Sequence, residues 1–204
     1  SSVIDMKSMF SDMKNLSHLD VSNFDTSNVE DMSNMFSNLL LDSLDLSNFN
    51  TSKVTDMHHM FYDTKINNIN FNSFDTGKVA RFDSMFNNSS FKTLDISHFN
   101  TESAKHMQDM FSGCKSNYIN ASNLNAKNAS YIYQMFKGVV TKTLDLSNAN
   151  FNKNFSDNYS EEFFKDSKIN KLILGENFKF FYEPNLPDSL HTQKGQYSFK
   201  WSKE

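Results

Sequence analysis

Leu44-Asp45-Leu46-Ser47-Asn48-Phe49-Asn50-Thr51-Ser52-Lys53-Val54-Thr55-Asp56-Met57-His58-His59-Met60-Phe61 is the stretch that decides the fold. It is one copy of a unit that recurs through nearly the whole chain. The Met-Phe pair marks the period, at Met9-Phe10, Met35-Phe36, Met60-Phe61, Met85-Phe86, Met110-Phe111 and Met135-Phe136. Successive Met positions lie 26, 25, 25, 25 and 25 residues apart. A degraded seventh copy, Phe163-Phe164, begins 28 residues beyond Met135. A fixed period in the twenties marks a solenoid, in which each unit buries its apolar face only against its neighbours.

Within the unit, Leu19-Asp20-Val21-Ser22, Leu44-Asp45-Leu46-Ser47, Leu94-Asp95-Ile96-Ser97 and Leu144-Asp145-Leu146-Ser147 alternate apolar and polar residues. Alternation predicts a strand with its apolar set on one face. An earlier apolar residue (Leu16, Leu41, Ile66 or Phe91) completes the spacing L-x-x-L-x-L of a leucine-rich repeat. A large apolar residue follows at Phe24, Phe49, Phe74, Phe99 and Leu124. Thr26 or Ser27 then offers a helix N-cap, and Ser27 with Glu30 fits a capping box. Val29, Met32, Met35 and Phe36 fall at i, i+3, i+6 and i+7, one face of a short helix. The fold expected is an α/β solenoid. It is a leucine-rich-repeat-like right-handed coil, with short parallel strands on a concave face and short helices opposite. Residues 1–174 form this array, and residues 175–204, rich in aromatics, form a C-terminal cap that covers the last strand edge. Val3, Met6, Met9 and Phe10 align with the second half of a unit, so the N-terminus is expected to be cut mid-repeat from a longer protein.

Composition narrows function. The net charge is -4 and Arg81 is the sole arginine, which leaves little for reading nucleic acid. No apolar run is long enough to span a membrane. The five glycines form no phosphate loop, and no G-x-S-x-G, H-E-x-x-H or C-x-x-C occurs. No cofactor, metal or catalysis is expected. The lone Cys114 reads as a buried small hydrophobe. His58-His59 is a poor chelating pair if both lie on one helix, and its counterparts Ser33-Asn34 and Asp83-Ser84 read as solvent-facing positions.

The unit L-D-L-S-x-F-D-T-S-x-V-x-x-M-x-x-M-F, nearly complete from Leu19 to Phe36, resembles the BspA-type leucine-rich repeats of bacterial surface proteins. Leu172-Ile173-Leu174-Gly175-Glu176-Asn177-Phe178 with Leu186-Pro187 resembles the segment that closes such arrays. The resemblance covers residues 3–190. It implies a wall- or membrane-attached adhesin ectodomain on a bacterial cell surface, a monomer whose partners are host matrix proteins such as fibronectin and fibrinogen, mucin or epithelial glycans.

One set of residues stands out as a candidate site. Asp20, Asp45, Asn70, Asp95, Asn120 and Asp145 share an outward slot, with Ser22, Ser47, Asn72, Ser97, Ser122 and Ser147 beside them. Stacking makes these ladders on the concave face. Neighbouring carboxylates about 5 Å apart repel by roughly 1 kcal/mol in water and should raise each other's pKa. The ladder is either a binding strip for a sugar, a basic protein segment or Ca²⁺, or a set of rung-to-rung bonds copied with the unit. Positions that vary between copies are His18, Asn68, Thr93, Tyr118 and Thr143. Tyr118 is the strongest specificity candidate, and Phe71 and residues 151–159 also vary. An adhesive module and an inert spacer both fit; an enzyme ranks last.

Overall fold

The computed structural model describes residues 3–151, 162–176 and 178. Six strands follow one another: β1 (Leu40–Asp45), β2 (Lys65–Asn70), β3 (Thr93–Asp95), β4 (Lys115–Asn120), β5 (Val140–Leu146) and β6 (Lys168–Leu174). All pairings are parallel and in register by one unit. Leu44 lies beside Ile69, Leu94 beside Ile119, Ile119 beside Leu144 and Leu144 beside Leu172. A second column of parallel bridges runs through Asp5, Asp31, Asp56, Arg81, His106 and Tyr131. The chain is therefore a parallel β-solenoid, one coil per unit, held on two sides by backbone bonds between coils.

The strands sit earlier in the unit than the Leu-Asp-Leu-Ser alternation predicts. β1 to β4 end at the Asp or Asn slot because that side chain turns the backbone there. Leu19–Ser22 lies in no strand. Leu41 and Leu44 both face the core with Asp42 and Ser43 exposed between them, and Asp42 drops out of the β1–β2 register. The L-x-x-L spacing thus encodes a local irregularity within the strand rather than strict alternation.

No helix forms among the described residues, which corrects the expected helical face. Two residues per coil take left-handed backbone: Asn34, His59, Ser84, Asp109 and Gln134 in one column, and Asn38, Asp63, Asn88, Gly113 and Gly138 in another. A left-handed residue every fourth position is incompatible with a right-handed helix. The N–H groups of Met32, Asn34, Phe36 and Asn38 donate to Asp56, His58, Met60 and Tyr62 of the next coil. Between them, Met35 and Ser37 close turns onto Met32 and Asn34. Val29, Met32, Met35 and Phe36 are each fully buried all the same. Two consecutive tight turns bury the same spacing that a helix face would.

The capping box is corrected with the helix. Thr26 Oγ1 reaches the next coil instead, donating to the Asn50 carbonyl and accepting the Asn50 N–H. Thr76 and Thr101 clamp Asn100 and Asn125 the same way, and Thr51 donates to Asp75. These threonines form a buried polar column, satisfied across coils.

The core is a stack of rings. Phe10, Phe36, Phe61, Phe86, Phe111, Phe136 and Phe164 lie nearly parallel, with centroids 5.0 to 5.7 Å apart and planes within 20°. Phe49, Phe74 and Phe99 make a shorter second stack. Each fully buried ring contributes about 1.5–3 kcal/mol by area removed from water. Phe71 belongs to this core, 3% exposed and against Phe61, Phe74, Phe86 and Phe99, so it is not an exposed variable residue. Its slot otherwise holds Val21, Leu46, Ile96, Ala121 and Leu146. At this bulkier ring the sheet lapses into β1–β2 and β3–β6, joined by the Lys65–Ser90 bridge and nearby bonds. The proposed cap lies outside the described residues, except Gly175, Glu176 and Phe178, and so does most of the 151–159 stretch.

Candidate functional site

The outward ladder forms in register as the repeats dictate. Asp45 pairs with Asn70, Asp95 with Asn120, and Asn120 with Asp145. Each of these side chains has a local task. Oδ1 of Asp20, Asp45, Asn70, Asp95, Asn120 and Asp145 accepts the N–H of Ser22, Ser47, Asn72, Ser97, Ser122 and Ser147, at 2.9 to 3.3 Å. This side-chain-to-backbone turn is the corner of the coil. Asp and Asn perform it equally, which is why the slot alternates between them.

That bond reverses the expected pKa shift. Asp20 and Asp45 are held below the ordinary carboxylate value chiefly by the Ser22 and Ser47 N–H groups, then by the hydroxyls of the same serines. Burial pushes Asp95 up, but the Ser97 N–H and hydroxyl and the Asn120 amide outweigh it and the net shift is down. Repulsion between rungs is weak because Asn70 and Asn120 separate all but Asp20 and Asp45.

Around Tyr118 the ladder becomes a connected patch. Tyr118 pairs with Thr93 and Thr143, is half-buried, and its hydroxyl donates to Asp145 Oδ2 at 3.3 Å. Burial, with the Asp145 charge second, pushes the phenol up, so it stays a donor at neutral pH. The Asn120 amide donates to Asp95 Oδ2 at 3.2 Å. Tyr118, Asp95, Asn120 and Asp145 are brought together; Asp20, Asp45, Ser22 and Ser47 stand exposed further along the same face. The adjacent corner column secures the coils. Asn48, Ser73 and Asn123 donate to carbonyls of the preceding coil, and His98 Nε2 lies 3.1 Å from the Phe71 carbonyl.

The second bridge column carries a concentration of polar and aromatic groups that the sequence reading passed over. Asp56 holds His58 at 2.6 Å, and Arg81 forks Asp83 at 2.9 and 3.0 Å while reaching Asp56 at 3.5 Å. Ser33, Asp83 and Ser84 are buried rather than solvent-facing. His58 and His59 meet edge-to-face at 5.3 Å, and burial, then the His58 charge, lowers the His59 pKa. The His106 ring stacks on Tyr131 at 5.1 Å. The available signal was that this column changes from Asp31 and Asp56 to Arg81, His106 and Tyr131 while the apolar columns hold. Reading it as the outer face of a helix hid that signal.

No group of three or more potential metal ligands lies among the described residues, and these contain no helix long and apolar enough to cross a membrane. Cys114 is fully buried, 3.6 Å from the Ser89 hydroxyl, and burial pushes its thiol up to about 12.

A family model described as "Mycoplasma protein of unknown function, DUF285" matches residues 1–93 and again 64–175. The two matches overlap, as a model of stacked coils does on a periodic chain. No curated protein and no solved structure matches.

Proposed function

We propose that this chain, which belongs to the Mycoplasma protein family of unknown function, is the non-catalytic adhesion module of a bacterial cell-surface protein. It binds a host extracellular-matrix protein, mucin or glycan through its solenoid surface, outside the cell. The observation that carries the reading is the patch of Tyr118, Asp95, Asn120 and Asp145. An aromatic donor and paired carboxylate and amide groups are fixed there on a rigid lattice, so binding them orders little. The turn uses one oxygen of each carboxylate, and Asp20 and Asp45 stay exposed. The resemblance of the unit to BspA-type repeats supplies the class of partner. A spacer that projects another domain is the second reading. It is favoured by the Asp–Asn interchange in the turns, which folding alone explains.

The test is binding of the purified chain to immobilised fibronectin, fibrinogen, mucin and a glycan panel. A variant with Asp20, Asp45, Asp95 and Asp145 changed to Asn, and a Tyr118→Ala variant, are run beside it. Saturable binding weakened by Tyr118→Ala supports the strand-face site. Absence of binding to every surface favours the spacer.

A further inference from the structure

The face of the second bridge column carries more side-chain chemistry than the fold requires. In the early coils Asp31 and Asp56 close turns onto the N–H of Ser33 and His58. Arg81 has no acceptor atom, and His106 and Tyr131 carry rings in place of the carboxylate, yet the backbone bridges continue through all three. These coils therefore fold without the turn-closing acid, and the slot is open to other side chains. What fills it is aromatic, planar and half-buried. His106 stacks on Tyr131, and Tyr133, also half-buried, stands within electrostatic reach of Asp109. Three polar atoms along this column, Ser33 Oγ, His59 Nδ1 and Gln108 Oε1, are shielded from solvent without a hydrogen-bond partner. Such atoms are costly to leave unsatisfied.

Charge and polarity define the occupant. Arg81 pairs with Asp83 and Asp56, and Lys137 and Lys165 pair with Glu162, so most of the charge on and beside this face is answered within it and no strongly anionic or cationic partner is selected. The exposed large hydrophobics among the described residues are Val3, Ile4, Met9, Met13, Leu40 and Val140, none of them on this face between Asp56 and Tyr133. The apolar centre of a protein interface is missing here. Flat rings beside planar guanidinium, carboxylate and amide groups suit a neutral ligand dense in hydroxyls, with C–H faces for the rings and paired hydroxyls for the forks. Coils repeat about every 4.8 Å, close to the length of one pyranose in an extended chain.

We infer that the face built around His58, Arg81, His106, Gln108, Tyr131 and Tyr133 binds a neutral linear saccharide, about one sugar per coil. This rests on the adhesive reading and places a second site away from the Tyr118 patch.

The probe is a panel of neutral linear hexasaccharides of glucose, galactose, mannose and N-acetylglucosamine, titrated into the whole chain by calorimetry and by proton NMR of the histidine rings. The expected result is saturable binding that shifts the ring signals of His58 and His106 and leaves those of His18 and His98 in place. It weakens at least tenfold in a His106→Ala/Tyr131→Ala variant that keeps the wild-type thermal transition. It persists in the four-Asp-to-Asn variant. Binding that moves His18 instead, or survives the double variant, overturns the inference and leaves adhesion through the strand face. So does binding to fibronectin, fibrinogen or mucin with none to the saccharides. No binding to any probe overturns both readings. If the double variant does not fold, the ring signals of the intact chain decide.

Discussion

Thr76 places a hydroxyl in a buried position where it both accepts the Asn100 N–H and donates to the Asn100 carbonyl. Thr76→Val keeps the shape and removes both bonds. Stability is expected to fall by about 1–3 kcal/mol, the cost of leaving buried backbone groups unpaired. Thr76→Ser keeps the hydroxyl and should lose less. Urea unfolding of both variants checks this; equal midpoints for Val and wild type would contradict the clamp. The carboxylates of the strand face give a second expectation at this scale. Asp20, Asp45 and Asp95 have folded pKa values below the ordinary 3.8. A depressed folded pKa means stability present above the ordinary value and lost as pH falls through the lower folded values. Asn replaces Asp in the same turn at positions 70 and 120. The four-Asp-to-Asn variant should therefore melt near the wild-type temperature at pH 7 and lose less on acidification. A wild-type transition that does not move between pH 5 and pH 2.5 would refute this. The sequence placed Asp45 beside Asn70, and Asp95, Asn120 and Asp145 in one row, as the strand register has them. It could not separate a turn-closing oxygen from a ligand-binding one, because both tasks call for a short polar side chain at the same slot.

At the level of the element, the second half of the unit shows why an apolar spacing underdetermines backbone shape. Val29, Met32, Met35 and Phe36 satisfy a helix face and two stacked tight turns alike. The distinguishing signal lay in the columns between them. Asn34 and His59, then Asn38, Asp63, Asn88, Gly113 and Gly138, include several residues that tolerate positive φ. Gly113 and Gly138 follow a Phe at the same offset, which a helix interior would not favour. The two glycines differ in their surroundings, and this gives a direct check. A Cβ at Gly113 would lie 2.3 Å from Asn88 Oδ1, whereas at Gly138 the nearest atom is 3.7 Å away. Both substitutions to Ala strain a left-handed residue by about 1–2 kcal/mol. Gly113→Ala must also displace the Asn88 side chain, so its melting temperature should fall further than that of Gly138→Ala. Thermal melts of the pair measure the difference, and an equal loss would argue against the close approach.

Across the whole molecule, each described coil is stacked on neighbours one unit away in the chain, so stability is close to a sum of coils and the interfaces between them. Excising residues 90–114, one full period, joins Ser89 to Lys115 with every column kept in register. That variant should fold and unfold cooperatively at a lower temperature. Excising half that length moves apolar residues onto polar columns and should abolish the transition seen by circular dichroism. The period and the apolar buried columns were legible in the sequence, because identical spacing forces identical stacking, whereas the missing strand at Leu19–Ser22 and the burial of Ser33, Asp83 and Ser84 were not. Nor was the lapse between β2 and β3. Phe71 reads as one more apolar residue, and only its neighbours reveal that a Phe ring in that slot takes the space of a smaller side chain. The hydrogen bonds that join the coils run along the axis of the stack. A chain pulled from its two ends is therefore peeled open rather than sheared. Each coil released frees 25 residues, roughly 85 Å of extended chain, from a layer only about 4.8 Å tall. Under tension the protein would lengthen in equal steps at modest force, taking up the energy of a sudden load coil by coil.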